Sequence, residues 1–305
     1  MIRRKIWLGV AGIFTSLNTS CQSTGTVTAD ISLLPESLTD MAIGLHSESV
    51  VTVGGRHLGK LKGRPEHALS PYSVSPDGEW IVWLTLDSLE GAHGRERVIT
   101  ARRYDGRARV FRGLSGVEHA IAVTAGATSL IIGGIWARAL ELRVYQMESD
   151  GPHRVVKIPS LVGENDRIER LASNGAGLVV VVGTGSKIFV IDTVKASVLL
   201  EERGRFPVFS VDGRSILFVG PDGDIRRRII SDQGSELLLS TVRVKALGAV
   251  TPDGSWVTMG FQDNLNWKNE LGCFSLENRK LFRILNLGEG DLGSLTAWIN
   301  PKWAE

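Results

Sequence analysis

A short pattern recurs along this chain, and its recurrence constrains the fold more than any other feature. The clearest copy is residues 73–83 (SVSPDGEWIVW). Two further copies are 208–218 (VFSVDGRSILF) and 249–259 (AVTPDGSWVTM), and two degenerate ones, 122–132 (AVTAGATSLII) and 170–180 (RLASNGAGLVV), fill the interval. In each, an apolar run leads into a small hydroxyl residue and Asp-Gly or its equivalent, and a second apolar run follows. Asp-Gly between apolar runs is a hairpin signal, because tight turns that match strand twist need positive φ. The hydroxyl can bond the free backbone groups of the turn. Asp77, Gly78, Asp212, Gly213, Asp253 and Gly254 are therefore read as structural turn residues.

After each copy comes a strand with a charged hairpin, as in 97–106, 140–151, 187–193 and 221–230. Each unit thus holds about four strands. The markers Asp77, Gly126, Asn174, Asp212 and Asp253 are 49, 48, 38 and 41 residues apart. Four strands repeating every ~40–50 residues are the mark of propeller blades. Five units fill residues 66–287, and the ends supply a sixth: 294–299 reads as an innermost strand, 47–53 and 57–61 as outer ones. The expected fold is all-β: a six-bladed β-propeller over 45–305, closed by N- and C-terminal strands, with seven blades as the alternative.

The first 44 residues read differently. Residues 1–5 are basic, 6–14 (IWLGVAGIF) are apolar, and 15–20 are small and polar. That order is a signal peptide, and the apolar run is too short for a bilayer, which takes ~20 residues. Residues 17–21 (LNTSC) resemble the lipobox of bacterial lipoproteins, with Ser20 and Thr19 fitting and Asn18 standing where that family usually has Leu. The resemblance implies a lipid on Cys21 after cleavage. Gln22 then implies the outer membrane, facing the periplasm, in a host with two membranes. The alternative is an ordinary signal peptide with a Cys21–Cys273 disulfide. Residues 21–44 are expected to form the lipidated end and a flexible tether. No transmembrane helix is expected in the mature chain, since a lipid anchor needs none.

Composition bounds the function. The chain has 305 residues, 43% of them hydrophobic and 22% charged, with 35 glycines against 10 prolines. Without residues 1–20 it carries 32 basic and 33 acidic residues, a net of −1. This gives no electrostatic case for nucleic acid. Two cysteines and no Cys-x-x-Cys give none for a thiolate metal site.

The copies at 75–83 and 251–257 resemble the S-P-D-G repeat of TolB-type, WD-like propellers. The resemblance covers most of 45–305 and implies the fold. The family includes non-catalytic periplasmic scaffolds and the propeller domains of some peptidases.

No residue pattern for catalysis emerges. Asp77-Gly78 and Asp253-Gly254 are adjacent, unlike the spaced Asp box of sialidase propellers. There is no Gly-x-Ser-x-Gly, P-loop or His-Glu-x-x-His. Asn174, Glu118, Asp166 and Asp263 are a candidate axial set for an enzyme or a metal-binding alternative that uses the channel. No enzyme, cofactor or metal is expected. The expected role is docking of an envelope protein or peptide. Candidate contacts are Trp267, in the polar loop 263–270, and Arg226 and Arg228, which share one face of a strand read as a solvated edge.

Overall fold

The computed structural model describes residues 26–304, apart from 29–33, 35, 45–48, 66–67, 89–94, 113–117, 125–127, 137–138, 147–151, 160–167, 175–178, 185, 263–268 and 289–296. The N-terminal part supplies β1 (Thr26–Thr28), one turn of helix α1 (Glu36–Thr39), β2 (Ala42–Gly44), β3 (Ser49–Thr52) and β4 (His57–Lys60). Five meanders follow. The first is β5 (Ala68–Val74), β6 (Trp80–Ser88), β7 (Arg95–Arg103) and β8 (Ala108–Phe111). The second is β9 (Glu118–Val123), β10 (Ser129–Trp136), β11 (Ala139–Gln146) and β12 (Pro152–Pro159). The third is β13 (Ile168–Ser173), β14 (Val179–Thr184), β15 (Lys187–Asp192) and β16 (Ser197–Arg203). The fourth is β17 (Arg205–Phe209), β18 (Ser215–Val219), β19 (Ile225–Ile229) and β20 (Glu236–Leu239). The fifth is β21 (Arg243–Val250), β22 (Trp256–Gln262), β23 (Asn269–Ser275) and β24 (Lys280–Gly288), and β25 (Ala297–Ile299) ends the strand order.

Each meander is an antiparallel sheet with its strands in chain order. The sixth sheet is β25-β2-β3-β4, one strand from the C-terminal end and three from the N-terminal end. The first strands of the sheets adjoin in a closed ring, β25, β5, β9, β13, β17, β21 and back. The protein is a six-bladed β-propeller.

The middle strands of each blade are apolar on both sides because each side packs on a neighbouring blade. All five residues of β18 are buried, and six of seven in β22. Outer strands meet solvent, and of the seven residues of β16 only Leu200 is buried. The core lies between blades. Ile131 and Leu142 of the second blade meet Leu171, Val182 and Phe189 of the third. Leu217 and Val219 meet Val257, Met259 and Phe261. The seam of the fifth and sixth blades gathers Leu271, Cys273 and Phe282 with Ile43, Val51 and Trp298, and Leu38 of α1 covers it. Closing the ring therefore buries apolar surface, at ~25 cal/mol per Å².

The repeated turn has one chemistry. Ser75, Ser210 and Thr251 each accept at the side-chain oxygen from the amide five residues on, at 3.0 Å in all three cases. Each hydroxyl donates to the Asp two residues on (Asp77, Asp212, Asp253). That Asp accepts from the amide two residues further, at 3.0–3.1 Å. Only the Gly takes positive φ, +70°, +67° and +77° at Gly78, Gly213 and Gly254. In the second blade Thr124 accepts from Ser129 at 2.9 Å, so the hydroxyl persists where the Asp is lost.

Two expectations change. The segment expected as a tether holds structure: β2 is the second strand of the closing blade. β1 pairs in parallel with β24, Thr26 opposite Lys280, and adds a fifth strand to that sheet. β19 is the third strand of its blade rather than a solvated edge, since β20 lies outside it.

Candidate functional site

Each meander starts innermost, so the six inner strands run the same way and begin at one mouth of the axial channel. At that end all five complete blades carry a β-bulge. The extra residues are Ser70 and Pro71 in β5, His119 in β9 and Glu169 in β13. In β17 the bulge falls at Phe206 and Pro207, and in β21 at Lys245. A bulge bends its strand and re-aims side chains. Two of the extra residues are prolines, which a ladder tolerates only where pairing is already broken. Phe206 has φ +51°, in the left-handed region, and packs against the cores on both sides of the fifth blade.

The residues at this mouth form a charged set. Arg205, the first residue of β17, pairs with Glu169 of β13 at 3.2 Å. The Arg205 guanidinium also lies 5.3 Å from the Phe206 ring centroid. Burial and the charge of Arg243 together push the Lys245 ammonium below its ordinary pKa. Next to Glu169, Arg170 reaches from the third blade past the fourth and donates from Nη2 to the carbonyl of Gly248 on β21 at 2.9 Å. The side chain spans from β13 to β21 and keeps partial solvent access. Burial pushes its pKa down to about 10, so it remains a cation at neutral pH. Tyr72, just after the β5 bulge, faces the closing blade. A Cβ at Gly44 would sit 2.7 Å from its hydroxyl, and burial raises that hydroxyl's pKa.

The residues singled out in the sequence fall elsewhere. Asp77, Asp212 and Asp253 sit in turns at the opposite end of the inner strands, bonded as described. The three arginines of β19 are engaged with acids: Arg226 with Asp224 at 2.8 Å, Arg227 with Glu236 at 2.5 Å, and Arg228 with Glu202 of the third blade at 3.0 Å. Arg226 and Arg228 are half-buried. Trp267 and Cys21 lie outside the described residues, as do Asp166 and Asp263. Asn174 follows the end of β13 and Glu118 begins β9, so these two members of the candidate axial set stand at opposite ends of their strands. Among the described residues no three His, Cys, Asp or Glu side chains group as metal ligands, and no helix is long and apolar enough to cross a membrane. Cys273 is a buried free thiol.

Sequence reasoning missed Arg170, Glu169, Arg205 and Lys245. The available signal was a charge placed inside an inner strand, as at Ile168-Glu169-Arg170-Leu171, where a plain ladder would be apolar.

Six blades in a closed ring, five of four strands and one with a fifth added by β1, define the class of protein as a closed β-propeller. Among solved structures the chain is similar to TolB from Acinetobacter baumannii, with a TM-score of 0.53 and 16% identity. That match covers 84% of this chain and 64% of the TolB chain, so the protein spans under two thirds of its length. It is also similar to the β-propeller domain of the Trilobed protease from Pyrococcus furiosus, described as having an open velcro topology. There the TM-score is 0.52 and identity 15%, over 73% of this chain and 72% of that one. A third likeness is to the acylaminoacyl peptidase of Pyrococcus horikoshii, with a TM-score of 0.50 and 12% identity, covering 68% of this chain and 38% of the peptidase. At these identities the likeness is one of fold. No protein-family model matches the chain, and no curated protein matches it.

Proposed function

We propose that this protein is an exported lipoprotein, anchored through Cys21 to a bacterial membrane, whose propeller docks an envelope protein or peptide without catalysing a reaction. The observation that carries the docking reading is the bulged mouth. Five inner strands depart from regular pairing at the same end of the channel, on a scaffold otherwise held by buried seams. Rigid scaffolds that present irregular backbone at one face are where binding residues concentrate. The anchor reading rests on residues 1–21, and Gln22 favours the outer membrane with the propeller in the periplasm.

The test is intact mass of the protein from detergent-extracted membranes, beside Cys21→Ala, with chemical cross-linking in the same membranes. The expected result is a chain that starts at Cys21 with added acyl mass, absent from the variant, and a cross-linked partner. A soluble chain cut elsewhere with no added mass would overturn the anchor. A native chain that cross-links to nothing would overturn docking.

A further inference from the structure

Five arginines of the ring face carboxylates, and Arg170 near its centre does not. Arg226, Arg227 and Arg228 each face a carboxylate, Arg279 joins Arg227 on Glu236, and Arg205 holds Glu169. Among the described residues Arg170 has a single hydrogen-bond partner, the neutral carbonyl of Gly248. A guanidinium carries five N–H donors, and four of these have no acceptor among the described residues. The side chain keeps partial solvent access, so these donors can be reached by water and by a ligand. The nearest acid in sequence, Glu169, is already held by Arg205.

We propose that Arg170 is an anion-binding residue that receives a carboxylate entering the channel from the bulged mouth. The planar guanidinium fork matches a carboxylate, and two parallel N–H···O bonds would complete donors that the protein leaves open. The bond to the Gly248 carbonyl ties Nη2, one end of the fork, to β21. Lys245, at the bulge of the same strand β21, adds positive charge at this end of the ring, and Arg243 begins that strand. A single anchoring cation suits a monoanion better than a phosphate dianion. The inference rests on the docking reading for the idea that the carboxylate belongs to a peptide. The site itself does not depend on it.

The test uses the folded mature protein and a fluorescein-labelled Gly-Ser hexapeptide, made with a free C-terminal carboxylate and as its amide. Anisotropy should show the acid form binding at least about tenfold more tightly than the amide. Arg170→Met should abolish that difference, and Arg170→Lys should keep part of it. In the unaltered protein, the Arg170 side-chain Nε–H signal should shift saturably on titration with the acid peptide or with acetate, which covers the case of a variant that does not fold. Acetate that fails to displace the peptide assigns the site to a chain terminus. Acetate that shifts the Arg170 signal while neither peptide binds assigns it to a small free carboxylate, and so sinks the peptide-docking reading while keeping the site. Equal binding of acid and amide without an Arg170 shift, a preference that survives in a folded Arg170→Met, or displacement by inorganic phosphate as readily as by acetate would each overturn the proposal.

Discussion

The indole Nε1 of Trp303 donates to the carbonyl oxygen of Gly78 at 3.2 Å, joining the end of the chain to the first repeated turn. The same carbonyl accepts from the amide of Asn300 at 3.1 Å, and the Trp303 carbonyl accepts from Lys62 at 2.8 Å. Trp303 is buried against Trp83 and Leu61. One turn of 3₁₀ helix after β25 thus fastens the closing blade to the first. Trp303→Ala should cost about 3–5 kcal/mol, the range for a large buried aromatic. Trp303→Phe keeps much of the packing and loses the donor, and should cost about 1–2 kcal/mol. Urea unfolding checks both: a Trp303→Phe variant as stable as the parent would show that the hydrogen bond is immaterial, and equal costs that the packing is.

Gly78 is required twice over, whereas Gly106 is required once. Both have positive φ, +70° and +93°. A Cβ at Gly78 would lie 3.0 Å from the Asn300 nitrogen and 3.1 Å from the Ile299 backbone, while at Gly106 it would meet nothing within 4 Å. Gly106→Ala should cost only the conformational penalty of about 1 kcal/mol, and Gly78→Ala should exceed it by displacing the latch. Thermal unfolding of the two variants side by side gives the comparison.

This latch also marks how far the sequence could be read. The turns were legible because a hydroxyl, an Asp and a Gly at fixed spacing have one low-energy arrangement, and their period counted the blades. β2 was not legible, since Ala42–Gly44 is three residues long and takes its strand character from pairing with Trp298 and Val51 rather than from its own pattern. The parallel docking of β1 on β24 is likewise a tertiary contact with no local signal. The bulges and Arg170 stayed hidden for a further reason. A bulge is set by how two strands pair, and Arg170 is a single side chain outside the repeated turn, so neither belonged to the pattern that the sequence displayed. The β19 arginines misled in the opposite sense, because a charge run reads as a solvated edge unless its partners, Glu202, Asp224 and Glu236, are known to face it.

The repeated turn should make the protein acid-sensitive. The Ser210 hydroxyl and the Arg214 amide hold the Asp212 carboxyl below the usual carboxylate range. A carboxyl whose pKa is depressed on folding contributes stability that is present above its unfolded pKa, ~3.9, and is lost as pH falls through the lower folded value. Stability should therefore fall as pH drops below about 4, and Asp212→Asn should flatten that fall while lowering stability at neutral pH. Urea midpoints at neutral pH and in the acid window check the sign. A steeper acid fall in the variant would contradict it.

Arg228 and Glu202 join the fourth blade to the third, with side chains only 15% and 20% exposed. Removing one member strands the other in a poorly solvated seam. Glu202→Leu should cost about 2–4 kcal/mol, and Glu202→Leu with Arg228→Met should recover part of that loss. A double-mutant cycle in urea measures the coupling. Additive costs would show two independent surface charges. Because the arginines serve this seam, their removal should lower stability before it alters any docking.

Cys273 gives a reporter for the seam that closes the ring. It lies in β23 within the cluster that includes Ile43 and Trp298, and burial raises its thiol pKa well above the ordinary range. A thiol reagent needs the thiolate, so Cys273 should react only through states that open the seam. With Cys21→Ala it is the sole thiol, since the chain has two cysteines. Labelling at mildly alkaline pH should be slow without denaturant and should accelerate with urea along the slope of global unfolding. Adding Trp303→Ala should accelerate it in the absence of urea, because that residue fastens the blade whose core covers the thiol. Fast labelling in the parent, insensitive to urea, would mean that the fifth and sixth blades part locally and that the latch does not govern closure.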